Sequence, residues 1–168
     1  EFIHYSINGQ LLEQFIFYII MATMLLAIFF YDALYQEIPD RFSLPAIAIA
    51  FAGGIILGSP SIINMLIGGI GLGSFFLLQF LISNGTWVGG GDIRLGALMG
   101  VLLGWEVGLV AIIISYFTGA TFAIYLLSNS KAGRKSQIAF GPFLVIGTLI
   151  SIWYGADILN YYLSSILI

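Results

Sequence analysis

The sequence contains no cysteine, one histidine and 4 prolines in 168 residues. Without cysteine there is no disulfide framework, no thiolate nucleophile and no cysteine-ligated zinc or iron–sulfur site. Charge is nearly as scarce: 8 acidic and 5 basic residues make up 8% of the chain, against about 25% in an average soluble domain. That scarcity excludes a globule with a charged, water-facing surface. Disorder is excluded as well, because 60% of the residues are hydrophobic and 15% aromatic, and disordered segments lack such residues. Any chemistry must come from carboxylates, hydroxyls or His4, and His4 stands alone near the start of the chain with no role assigned to it.

What is present is a set of long uncharged runs. No charge falls between Glu13 and Asp32, between Arg41 and Asp92, between Glu106 and Lys131, or between Lys135 and Asp157. A helix needs about 20 apolar residues to cross a hydrocarbon core of about 30 Å, so the run after Arg41 holds two spans. Gly58-Ser59-Pro60-Ser61 supplies the turn between them. The expected fold is an all-α, polytopic integral membrane protein forming one membrane-embedded domain over 1–168. Its six expected segments cover 11–31, 42–57, 62–83, 92–103, 107–128 and 138–154, with an apolar tail after Asp157. The continuous apolar runs do not fit the ten-residue alternation of a membrane β-barrel. The fourth segment is short, which implies irregular backbone before it, tolerated at membrane depth only beside protein or a water-filled cavity.

Orientation follows from the basic residues. Arg41, Arg94, Lys131, Arg134 and Lys135 lie on or beside the face shared by the connections 33–41, 84–91 and 129–137, while the opposite connections carry Glu106 and Asp157. The positive-inside rule makes the basic face cytoplasmic. The first ten residues contain neither a basic region nor a long apolar core, so they do not read as a cleavable signal peptide.

Alternation of the spans brings Asp32 and Asp92 to that same face. An ionisable group at membrane depth costs at least about 2.5 kcal/mol on insertion scales, so function is the default reading for both. The plainer reading of Asp92 is a helix cap, since it opens a helical segment. A cap suits Asp32 less well, because a carboxylate at a helix C-terminus opposes the macrodipole. Gly89, Gly90 and Gly91 precede Asp92. Three glycines permit sharp bends and close backbone approach, and they offer bare backbone on which a peptide can lie. Gly96, Gly100 and Gly104 then recur every fourth residue, a smooth stripe for a neighbouring helix, whereas Gly69-x-x-x-Gly73 reads as ordinary membrane-helix packing.

Two carboxylates sharing a partly dry cavity do not both ionise readily, so one holds a proton while the other stays charged. That asymmetry provides an acid and a base. The base takes a proton from water, the water attacks a peptide carbonyl, and the acid protonates the carbonyl oxygen. Aspartyl proteolysis of this kind requires no covalent intermediate, metal or cofactor.

Three blocks of residues resemble the type IV prepilin peptidases, membrane aspartyl proteases with a Gly-x-Gly-Asp motif. The blocks are Asp32-Ala-Leu-Tyr-Gln-Glu-Ile-Pro-Asp40, Gly89-Gly90-Gly91-Asp92-Ile93-Arg94-Leu95 and Ala139-Phe140-Gly141-Pro142-Phe143-Leu144. Arg94 stands where the family usually has lysine, and Ala139 where it has proline. The resemblance implies that Asp32 and Asp92 are the catalytic pair and that the Gly141-Pro142 break borders the substrate groove. It further implies that the substrate is a prepilin, or a pseudopilin of type II secretion, whose basic leader is removed at the cytoplasmic face of the inner membrane. Set against the family, residues 1–10 look like the remainder of a preceding span. Bacterial members often carry a cysteine-rich methylating domain; this chain has no cysteine, and methyl transfer is not assigned to it.

Smaller expectations attach to other polar residues. Glu37 and Asp40 lie on the connector after Asp32, where an acidic field would attract a basic leader; the plainer reading is a solvated loop with Asp40 capping the next helix. Arg94 is expected to hold its loop by pairing with a carboxylate or a lipid phosphate. Lys131, Arg134 and Lys135 read as topology signals and anionic-lipid contacts. Substrate peptide and membrane lipids are the expected partners, with no nucleic acid and with oligomeric state left open. The rival class is an ion or solute transporter using Asp32, Glu37, Asp40 and Asp92 as oxygen ligands, against which stand the location of both aspartates near one face and the lack of an inverted repeat.

Overall fold

The computed structural model describes residues 2–128 and 139–166, with side chains over 11–128 and 139–165. The elements are α1 (Phe2–Tyr35), α2 (Asp40–Leu57), α3 (Ile62–Ser83), α4 (Gly90–Ser128) and α5 (Gly141–Ile166). All 5 are long and apolar enough to cross a membrane. The all-α, polytopic expectation therefore holds, with five helices in place of six.

The difference lies in α4. Its 39 residues would extend about 58 Å if straight, nearly twice the hydrocarbon thickness. Gly104 interrupts it with φ 77° and ψ 176°, a backbone region that essentially only glycine occupies. A Cβ placed on Gly108 would lie 3.8 Å from the Gly100 Cα, whereas eight residues of straight helix separate two atoms by about 12 Å. The chain thus doubles back at Gly104. The expected segments 92–103 and 107–128 are the two arms of this bent element, joined by a reversal too tight to be a separate loop. Asn64 of α3 accepts a hydrogen bond from the Trp105 N–H at 2.7 Å, satisfying a donor freed at the bend.

Close backbone approach holds the bundle together. Gly96 faces Phe76 and the Leu72 carbonyl, and Gly100 lies against the backbone of Gly68 and Gly69, so the glycine stripe of α4 seats α3. Gly69 faces Val101 and Gly73 faces Ala97, as expected of a packing motif. In a lipid environment such contacts replace hydrophobic attraction as the source of helix association. Met21, Leu25 and Ile28 of α1, Phe76 of α3, Leu95, Leu98 and Met99 of α4, and Leu144 and Val145 of α5 form the core. Phe15, Ile63, Ile82, Phe117 and Ile124 are exposed on the outside, where acyl chains would cover them.

Helix ends differ from expectation in ways that matter for the site. The first helix runs on to Tyr35, where Gln36 adopts φ 56° and donates its N–H to the Asp32 carbonyl at 2.8 Å. Asp32 therefore sits inside the last turn of α1. The last helix continues through the exposed Asp157 to Ile166, beyond the expected end at 154. Residue 138 and the basic run of Lys131, Arg134 and Lys135 lie outside the described residues.

Candidate active site

Three connections meet at one end of the bundle and border a cavity of about 1200 Å³, lined by 36–39 between α1 and α2, 85–89 between α3 and α4 and 139–140 before α5, together with the first residues of α2 and α4. Asp32 enters it from α1 and Asp92 from α4. Each of these aspartates is only 5% exposed, and their charges interact. Sixty positions of sequence are bridged by topology alone: α2 and α3 form an out-and-back pair that returns the chain to the level of Asp32.

Each carboxylate is held by a glycine N–H, one from the connection before α4 and one from the first residue of α5. Asp92 lies in the first turn of α4 and its Oδ2 accepts the Gly89 N–H at 2.7 Å, the backward half of a capping box. The cap reading of Asp92 is thus realised in the same side chain that faces the cavity. Asp32 opposes the dipole of its own helix, yet its carboxylate accepts the Gly141 N–H at the start of α5. A helix N-terminus presents unsatisfied N–H groups and a positive dipole end, so α5 compensates what α1 disfavours. Gly141 approaches so closely that a Cβ there would collide with the Asp32 Oδ2. Pro142 occupies the first turn of α5, where its missing N–H leaves no bond unmade. It is buried in that turn and does not break the helix or line the cavity.

The glycine triplet divides its tasks. Gly91 packs against the connector after Asp32, where an added Cβ would come within 2.6 Å of the Ile38 Cβ. Gly90 faces open space, and near Gly89 lies the Asp92 carboxylate. Bare backbone is therefore presented to the cavity beside Asp92. Glu37 and Asp40 also line the cavity. Asp40 does not cap α2, whose cap position is Pro39 without a side-chain bond; it forms an ion pair with Arg94, joining the connector of one aspartate to the helix of the other. Arg41 lies over the rings of Tyr31 and Phe42 at 5.5 and 5.4 Å. Among the described residues, no three of His, Cys, Asp and Glu converge as a metal-ligand set.

Gln79 and Tyr116 were not visible as site residues from the sequence. The Tyr116 hydroxyl donates to the Gln79 Oε1 at 2.7 Å, and the Tyr116 ring packs 5.0 Å from that of Phe140, a lining residue. The fold-back at Gly104 is what brings Tyr116 to the level of Asp92. A lone glutamine in the apolar second half of α3 was the available signal.

Comparison with known proteins finds relatives over most of the chain. A "Prepilin leader peptidase/N-methyltransferase" of Legionella pneumophila is 32% identical over 165 residues, covering 95% of this chain and 56% of that protein. Proteins of the same name from Pseudomonas aeruginosa, 31% identical over 143 residues (83% of this chain, 49% of that protein), and Aeromonas salmonicida (strain A449), 29% identical over 153 residues (89% and 53%), are similar as well. The chain spans about half the length of the curated relatives it matches. No solved structure matches it. The model of the type IV leader peptidase family matches residues 19–124, more than half of the sequence, and the chain belongs to that family.

Proposed function

We propose that the protein is an aspartic endopeptidase that removes the basic leader of a type IV prepilin or pseudopilin at the cytoplasmic face of the inner membrane. The observation that carries this reading is the convergence of two buried aspartates, from helices distant in sequence, on one cavity that opens among three connections. Family membership supports the substrate class. Arg41 and Arg94 at the cavity, together with the basic residues of 129–137, support the cytoplasmic side.

The chemistry uses one protonated and one ionised carboxyl. The carboxylate takes a proton from a water molecule, whose oxygen forms a bond to the scissile carbonyl carbon, while the protonated partner gives its proton to the carbonyl oxygen. In the second step the newly protonated carboxyl gives its proton to the amide nitrogen, the C–N bond breaks, and the other carboxylate recovers a proton from the diol. The pair ends in the state in which it began. The Gly89 and Gly141 N–H groups fix the two carboxylates, so they need not reorganise as charge develops.

The test is incubation of the purified chain in liposomes with a synthetic prepilin-like peptide, the products being identified by mass. Cleavage at one bond after the basic leader is expected. No cleavage, combined with cation-dependent thermal stabilisation that Asp32→Asn and Asp92→Asn abolish, would assign the carboxylates to an ion site instead.

A further inference from the structure

Gln79 is a polar residue in the membrane-spanning part of α3, and such residues are retained for a reason. Its Oε1 is occupied by the Tyr116 hydroxyl, which fixes the amide so that the Nε2 donors point away from Tyr116. That Nε2 is buried and makes no hydrogen bond. A buried donor without a partner is unfavourable in any protein and more so where no water competes, and native structures keep such groups mainly at functional sites. The pair lies behind Phe140, a residue that lines the cavity: Tyr116 packs on that ring and is within electrostatic reach of Asp92. Asp92 itself already has Gly89 as its donor. The ligand lacking on the Gln79 side is thus an acceptor.

We propose that Gln79 is a positioning residue whose Nε2 donates a hydrogen bond to a backbone carbonyl of the substrate peptide bound beside Asp92. This rests on the peptidase reading above. An extended peptide presents one carbonyl per residue, and Gly90 in the cavity lining has open space beside it, so bare backbone and a single amide donor would together hold the chain. Tyr116 holds that amide in the donating orientation. Phe140 is half-buried, lines the cavity and packs on Tyr116, so admission of the carbonyl requires that ring to move.

The experiment compares Gln79→Met and Tyr116→Phe with the parent, on the full chain in liposomes with the prepilin-like peptide. Methionine matches glutamine in length and leaves no donor. Gln79→Met is expected to raise KM about tenfold and leave kcat within about threefold, as loss of one hydrogen bond made equally in ground and transition states requires. Its pH–rate profile and thermal unfolding should coincide with those of the parent. Tyr116→Phe, which frees the amide without removing it, is expected to raise KM by about threefold. A fluorescent form of the peptide is also titrated against Asp32→Asn, with and without Gln79→Met, so that binding is read without turnover; a tenfold weaker Kd supports the proposal even if no cleavage is seen. An unchanged Kd and KM in Gln79→Met would overturn it, as would a loss confined to kcat with a displaced pH profile, which would place Gln79 on Asp92 instead.

Discussion

The Asp32 carboxylate, in the last turn of α1, accepts a hydrogen bond from the backbone N–H of Gly141, the first residue of α5. Two helix ends of opposite dipole are thereby joined through one side chain, and the space between them has no room for a Cβ. Gly141→Ala should displace the carboxylate, lowering peptide cleavage by about 100-fold while destabilising the fold by about 1–3 kcal/mol through overpacking. Parallel cleavage and thermal-unfolding measurements check both. Full activity in Gly141→Ala would show that Asp32 does not need this anchor.

Gly91 and Ile38 make a comparable close contact between the two aspartate-bearing segments. Gly91→Ala alone is expected to reduce cleavage by at least about tenfold, because the added methyl pushes the connector off α4. Adding Ile38→Gly removes the clashing Cβ and should restore most of the lost rate. A double mutant as impaired as the single one would mean that Gly91 serves conformation or substrate approach rather than packing.

At Gly104 the requirement is conformational. With φ 77° and ψ 176°, an alanine there would cost about 1–3 kcal/mol in backbone strain, and its Cβ would also press on the Asn64 side chain, 2.7 Å away. Gly104→Ala should therefore lower thermal stability more than Asn64→Ala, which loses the bond to the Trp105 N–H at about 1 kcal/mol. Equal effects would argue against the fold-back.

The Arg94–Asp40 ion pair is partly exposed, at 39% and 57%, so its contribution to stability is small. Arg94→Ala and Asp40→Ala should each change stability by less than about 1 kcal/mol. Cleavage should fall by less than about tenfold, with Arg94→Lys close to the parent. A hundredfold loss in either alanine variant would show that the pair orders the connectors for catalysis.

Much of this architecture is legible in the sequence because charge scarcity marks spans directly: the uncharged runs ending at Asp32 and beginning after Arg41 place the end of α1 and both ends of α2 and α3 within a few residues, whereas α1 begins at Phe2, well before the expected start at Leu11, and runs unbroken through the residues read as a preceding span. The break near Gly104 is legible too, as three glycines at fourth-residue spacing followed by Glu106, but the sequence does not distinguish a loop from a sharp bend of one helix. Asp32 and Asp92 stand out because each interrupts an apolar stretch. The way they are anchored does not, since it depends on backbone N–H groups of Gly89 and Gly141, whose availability is a property of helix ends in space. Gln79 and Tyr116 escape for a related reason: 37 residues separate them, and only the reversal at Gly104 makes them neighbours.

The acid–base pair is tested most directly by cleavage rates of Asp32→Asn, Asp92→Asn and the double variant, measured on protein shown to retain the parent's thermal unfolding. Two carboxyls acting as a unit predict that each single variant falls by at least about 10³-fold and that the double variant is no slower than either single one. A single variant that keeps cleavage within about tenfold of the parent would contradict the two-aspartate mechanism.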